Sequence, residues 1–125
     1  MNRQQRMRVL LVDDDVDVKD ALETGLRTRG YHVQAYDDPT AALADFVRDS
    51  YDVAVLDVRM RPFDGLELYR RLRLVEPGLA ICFLTAYADT IKEWPSDALL
   101  LQKPISLDGL ELALEDVETR IGSDK

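Results

Sequence analysis

Short apolar runs alternate with longer stretches in which apolar residues recur every three or four positions. RVLLV (Arg8–Val12), DVAVL (Asp52–Leu56), LAICFL (Leu79–Leu84) and ALLL (Ala98–Leu101) are near-continuous apolar runs, as strands covered on both faces should be. YHVQAY (Tyr31–Tyr36) alternates polar and apolar positions and reads as a half-exposed edge strand. Between the runs, Val18, Ala21, Leu22 and Leu26 fall at helical spacing, and that helix stops at Gly30. A second helix opens with Asp38 as cap and Pro39 in its first turn, burying Leu43, Phe46 and Val47. Asp64-Gly65 opens a third, with Leu68, Tyr69, Leu72 and Val75 on one face and Pro77-Gly78 at its end. Ser106 caps the last helix, whose Leu107, Leu110, Leu114, Val117 and Ile121 form one stripe. Such strand–helix alternation predicts a parallel sheet with right-handed crossovers and helices on both faces. No repeat or linker interrupts it, so residues 1–125 are expected to form one domain with a core from about 8 to 121.

In a sheet of this kind the working residues stand at the carboxyl ends of the strands. Strand one ends in Asp13 and Asp14, strand three in Asp57, strand four in Thr85-Ala86 and strand five in Lys103-Pro104. Each has an ordinary structural explanation taken alone: an aspartate cap, a threonine in a turn, a surface lysine. Together they put three carboxylates, a hydroxyl and an ammonium at one edge. Adjacent carboxylates repel and are costly to desolvate unless a cation or proton compensates. Hard oxygen ligands without histidine or cysteine favour Mg²⁺. A carboxylate beside that metal can attack phosphorus to give an aspartyl phosphate, with metal, lysine and hydroxyl sharing the phosphoryl charge.

Composition narrows the alternatives. The net charge of −8 argues against nucleic-acid or anionic-membrane surfaces. No apolar run approaches the roughly 20 residues that span a bilayer, and MNRQQRMR leads into too short an apolar run for a signal peptide. Cys82 is the only cysteine, which excludes an internal disulfide, and the chain reads as cytoplasmic. Trp94 reads as a packing plug and His32 as a surface residue of the edge strand.

LLVDDD, VLDVRM followed by DG, LTA and KP, in this order, resemble the response-regulator receiver domain of two-component signalling, a CheY-like fold. The resemblance runs from about Arg8 to Ile121 and implies a doubly wound α/β fold of five parallel strands in the order 2-1-3-4-5. It implies that Asp57 is the phospho-acceptor and that Asp13, Asp14, Asp57 and the backbone carbonyl of Arg59 hold Mg²⁺. Thr85, followed by Ala86, matches the switch hydroxyl, Lys103 the lysine that pairs with the phosphoryl group, and Pro104 the proline reached through a cis peptide. The implied partners are a histidine kinase or histidine phosphotransfer protein and an output domain or downstream protein. The resemblance further implies a signalling module that catalyses its own phosphorylation and dephosphorylation rather than an enzyme in the usual sense.

Three departures from the family pattern stand out. Leu100 occupies the position three before the lysine, where the family usually has an aromatic residue. Only seventeen residues separate Thr85 from Lys103, about one helical turn fewer than usual, and Pro95 lies among them, so the fourth helix is expected to be short or irregular. Arg61-Pro62 displaces the proline that commonly follows the methionine directly. Two other readings compete. One is a pseudo-receiver that binds partners without taking phosphate. The other is a haloacid-dehalogenase-type phosphatase, suggested by Asp13-x-Asp15 but opposed by Val16-Asp17 where Gly-Thr is usual and by the lack of a late aspartate pair.

Overall fold

Leucine and β-branched residues on both faces of a short run suit a strand sandwiched between helices. The computed structural model describes residues 6–90 and 93–123 and forms a strand from each such run. The strands are β1 (Arg8–Val12), β2 (His32–Tyr36), β3 (Val53–Asp57), β4 (Ala80–Thr85) and β5 (Ala98–Gln102). All pair in parallel in the order β2-β1-β3-β4-β5. The helices are α1 (Val16–Thr28), α2 (Pro39–Asp45), α3 (Gly65–Val75) and α4 (Leu107–Ser123). No described helix is long and apolar enough to cross a membrane.

Alternation of side chains along each strand divides the core into two layers. Val9, Leu11, Val55 and Leu84 meet Leu22 and Leu26 of α1 and Leu110 and Leu114 of α4. On the other face, Leu10, Val12, Leu56 and Phe83 meet Leu68 and Leu72 of α3 and Ala42 of α2. Register sets the functional edge. Val12 lies opposite both Tyr36 and Leu56, Asp57 opposite Leu84, and Thr85 opposite Gln102. The residues that follow β1, β4 and β5 therefore emerge beside Asp57.

Helix boundaries are set by caps. Asp15 accepts hydrogen bonds from the Asp17 and Val18 amides, Asp38 from Thr40, Asp64 from Glu67, and Ser106 Oγ from Gly109. Gly30, at φ 96°, makes the turn from α1 into β2. Gly65 answers a different demand: a Cβ there would fall on the carbonyl oxygen of Asp57, so α3 can start this close to β3 only without a side chain.

Four expectations need correction. Val47 is not buried: α2 ends at Asp45, Phe46 is extended, and Val47 is 62% exposed beyond it. Ala21 faces solvent, because the buried stripe of α1 is narrower than its apolar spacing and rests on Leu22 and Leu26. Val75, in the last turn of α3, is also exposed. β5 is only half-buried along its length, since it is an edge strand.

Among the described residues, the connection from β4 to β5 contains one 3-10 turn (Ala88–Thr90), and residues 93–97 form no helix, in line with the short spacing and Pro95; residues 91–92 of the expected fourth helix lie outside the described residues. Trp94 covers this side of the sheet. Its ring packs on Phe83 (5.3 Å, 47°), which also meets Tyr69 (5.7 Å, 58°). The segment is tied down at Asp97, which accepts from Tyr69 Oη (2.8 Å) and pairs with Arg73 (3.0 Å).

Candidate functional site

The three consecutive aspartates after β1 divide their work. Asp15 turns away to cap α1, while Asp13 and Asp14 face Asp57. One carboxylate oxygen from each of Asp13, Asp14 and Asp57 lies within 4.8 Å of the others. Asp13 is fully buried, Asp57 nearly so, and Asp14 is exposed at the rim. Asp13 is fixed at three points: its amide donates to Tyr36 O (3.1 Å), Oδ1 accepts from the Asp15 amide (3.0 Å), and Oδ2 accepts from Lys103 Nζ (2.8 Å). Lys103 Nζ also lies 3.4 Å from Asp57 Oδ1.

Three carboxylates thus face one ammonium. Burial, followed by the charge of Asp13, pushes the Asp57 carboxyl up to about 7 despite the opposing pull of Lys103. Burial alone would lower the Lys103 pKa, but its bond to Asp13 and the charges of Asp13 and Asp57 raise it instead. The set is all oxygen, partly open and short of positive charge, which suits a hard divalent cation. Asp14, Arg59, Met60, Arg61 and Asp64 line an open cleft of about 420 Å³ leading to it.

The surrounding loops are knitted to the strand ends. Val58 N donates to Leu84 O (3.2 Å) and Gly65 N to Val58 O (2.8 Å), holding the loop after Asp57. The Arg59 guanidinium lies 3.7 Å from the centre of the Tyr87 ring, joining the loops that follow β3 and β4. Thr85 is buried, and its Oγ1 accepts from the Tyr87 amide (3.0 Å) in its own turn. Lys103 N donates to Thr85 O (2.8 Å), and the Lys103–Pro104 peptide is cis, as expected; Arg61–Pro62 is cis as well. Leu100 lies opposite Phe83 in register and packs into the layer that Trp94 closes. Sequence reasoning missed Gln102, whose Nε2 donates to Ala86 O (2.9 Å) and Lys103 O (3.1 Å). It also missed Tyr87. Both matter through contacts between loops, which a linear pattern does not display.

A family model described as the response regulator receiver domain matches residues 9–115. The chain belongs to this family. The receiver protein CpdR of Brucella abortus is 33% identical over 112 residues, covering 86% of this chain and 93% of that protein. Response regulator MprA of Mycobacterium leprae is 44% identical over 87 residues, which are 70% of this chain but 38% of that longer protein. The solved structure of response regulator TrrA from Thermotoga maritima, in complex with Mg²⁺ and beryllofluoride, superimposes with a TM-score of 0.78 at 27% identity, covering 88% of this chain and 97% of that one. The five-stranded order and the flanking helices are those of a CheY-like fold. The protein is a receiver domain of two-component signalling.

Proposed function

We propose that Asp57 accepts a phosphoryl group from a histidine kinase or histidine phosphotransfer protein, and that Mg²⁺ is held by Asp13, Asp14, Asp57 and the Arg59 carbonyl. The observation that carries this is the grouping of three carboxylates beside Lys103 at the strand ends. The TrrA complex with Mg²⁺ and beryllofluoride supports it by likeness.

When bound, Mg²⁺ supplies charge neutralisation for the phosphoryl oxygens. With a cation offsetting the charge of Asp13, Asp57 would be fully ionised. Its oxygen then bonds to phosphorus as the bond to the donor's histidine nitrogen breaks and that nitrogen keeps the electron pair. Lys103, released from Asp13, pairs with a phosphoryl oxygen, and the Thr85 hydroxyl donates to another. Hydrolysis reverses the modification when water attacks phosphorus and the Asp57–phosphorus link breaks. The chain's own residues do this chemistry, so a small phospho-donor suffices.

Incubation with acetyl phosphate, with either Mg²⁺ or a chelator, followed by intact mass, tests the proposal. One added phosphoryl group with Mg²⁺ and none with chelator is expected. No addition under either condition favours the pseudo-receiver; turnover of a generic phosphomonoester favours the phosphatase.

A further inference from the structure

Gln102 stands at the end of β5, outside every motif that marks the site, yet its side-chain amide bonds to the residue that follows β4 and to the one that follows β5. Both of its partners are carbonyl oxygens, Ala86 O at 2.9 Å and Lys103 O at 3.1 Å, so the nitrogen of the amide must face them. The bond to Ala86 matters most. Ala86 O and Tyr87 N belong to one peptide unit, and the N–H of that unit donates to Thr85 Oγ1 (3.0 Å). A single peptide plane is therefore held from both sides, by Gln102 at its oxygen and by the Thr85 hydroxyl at its nitrogen.

We infer that Gln102 is a positioning residue that holds the Thr85 hydroxyl in its resting place through the Ala86–Tyr87 peptide, opposing recruitment of that hydroxyl to Asp57. The inference rests on the phospho-acceptor reading of Asp57. When Thr85 turns to a new acceptor there, the Tyr87 N–H keeps its bond only if the peptide turns too, and that turn breaks the bond from Gln102. Because the same Gln102 nitrogen also holds Lys103 O, one side chain ties the peptide that follows Thr85 to Lys103. Lys103 N donating to Thr85 O (2.8 Å) makes the strand ends a single unit, so the side-chain bond acts on a firm base. Gln102 is exposed, so its replacement perturbs no core packing.

Removing the donor should ease recruitment of Thr85. Gln102→Met keeps the length of the side chain and loses both bonds. With Mg²⁺ present, its affinity for beryllofluoride, read from bound and free fluorine NMR signals, should rise about three- to tenfold, the scale of one hydrogen bond. Mg²⁺ affinity without the mimic should stay unchanged, and the Tyr87 amide should exchange faster. Gln102→Thr, suited to a strand end, should behave alike. In a Thr85→Val background the same substitutions should have no effect on beryllofluoride affinity, because the hydroxyl they act through is gone. An equal effect with and without the hydroxyl, or an unchanged or weaker affinity in both Gln102 variants, overturns the inference. If the wild type itself binds no beryllofluoride, the phospho-acceptor reading falls and this one with it; binding by the wild type separates the two failures.

Discussion

Asp57 is held near 7 by burial and by Asp13, against an ordinary value of 3.8. Between those values the folded chain holds a proton that the unfolded chain has released, so stability from this group is greatest below about pH 4. It is lost as pH rises through 7. At about 1.4 kcal/mol per pKa unit, reduced by solvent screening at the partly open mouth, the loss is on the order of 2 kcal/mol. Metal-free protein should therefore show a falling denaturation midpoint from pH 5 to pH 8, and Asp57→Asn should flatten that fall and be the more stable at pH 8. Mg²⁺ should restore the wild type by binding only the folded state, and Asp57→Asn should gain less. Thermal melts at several pH values check all three. The acidic set and Lys103 were legible as residues because each ends a strand. The lock on Thr85 was not, because it depends on Tyr87 and Gln102 meeting through backbone atoms.

At the scale of elements, Gly65 and Trp94 carry opposite lessons. Gly65 reads as an ordinary helix start in Asp64-Gly65, but the reason for it is the Asp57 carbonyl against which α3 begins. Gly65→Ala should cost about 1–3 kcal/mol through forced movement of backbone, and should impair phosphorylation because the backbone that moves carries Asp57. Chemical denaturation and intact mass measure the two effects. Trp94 was legible as a plug, since a large apolar ring in a shortened connection has a bare sheet face to cover. Its indole N–H is buried without a partner among the described residues. Trp94→Phe keeps most of the packing against Phe83 and removes that unsatisfied donor, so it should change stability by less than about 0.5 kcal/mol in either direction. Trp94→Ala should cost about 2–4 kcal/mol. Comparable large losses in both would show that the N–H has a partner in solution. Helix ends were the least legible parts. Val47 continues an apolar spacing, but the chain leaves the helix at Phe46, and spacing alone does not report where a backbone turns.

The whole molecule combines a receiver's chemical edge with an altered neighbouring face. Leu100 of β5 and Trp94 are half-buried against the core layer that holds Phe83, and residues 93–97 form no helix beside them. Phosphorylation should therefore reorganise the segment from Ala86 to Asp97, of which residues 91–92 lie outside the described residues, rather than flip the side chain of Leu100. It should also not drive dimerisation through the face formed by β4, β5 and α4. Hydrogen exchange with and without beryllofluoride, together with light scattering, tests this; unchanged protection across the segment or a tight mimic-dependent dimer through that face contradicts it. A partner that reads the segment, or a relay that passes the phosphoryl group onward, would suit such a domain. Asp57 should take a phosphoryl group from a donor while Asp13 and Asp14 beside it hold the cation. The most direct test of this is intact mass of the wild type and Asp57→Asn side by side, each incubated with acetyl phosphate and Mg²⁺. One phosphoryl group on the wild type and none on Asp57→Asn is the expected result, and equal labelling of both would contradict the account.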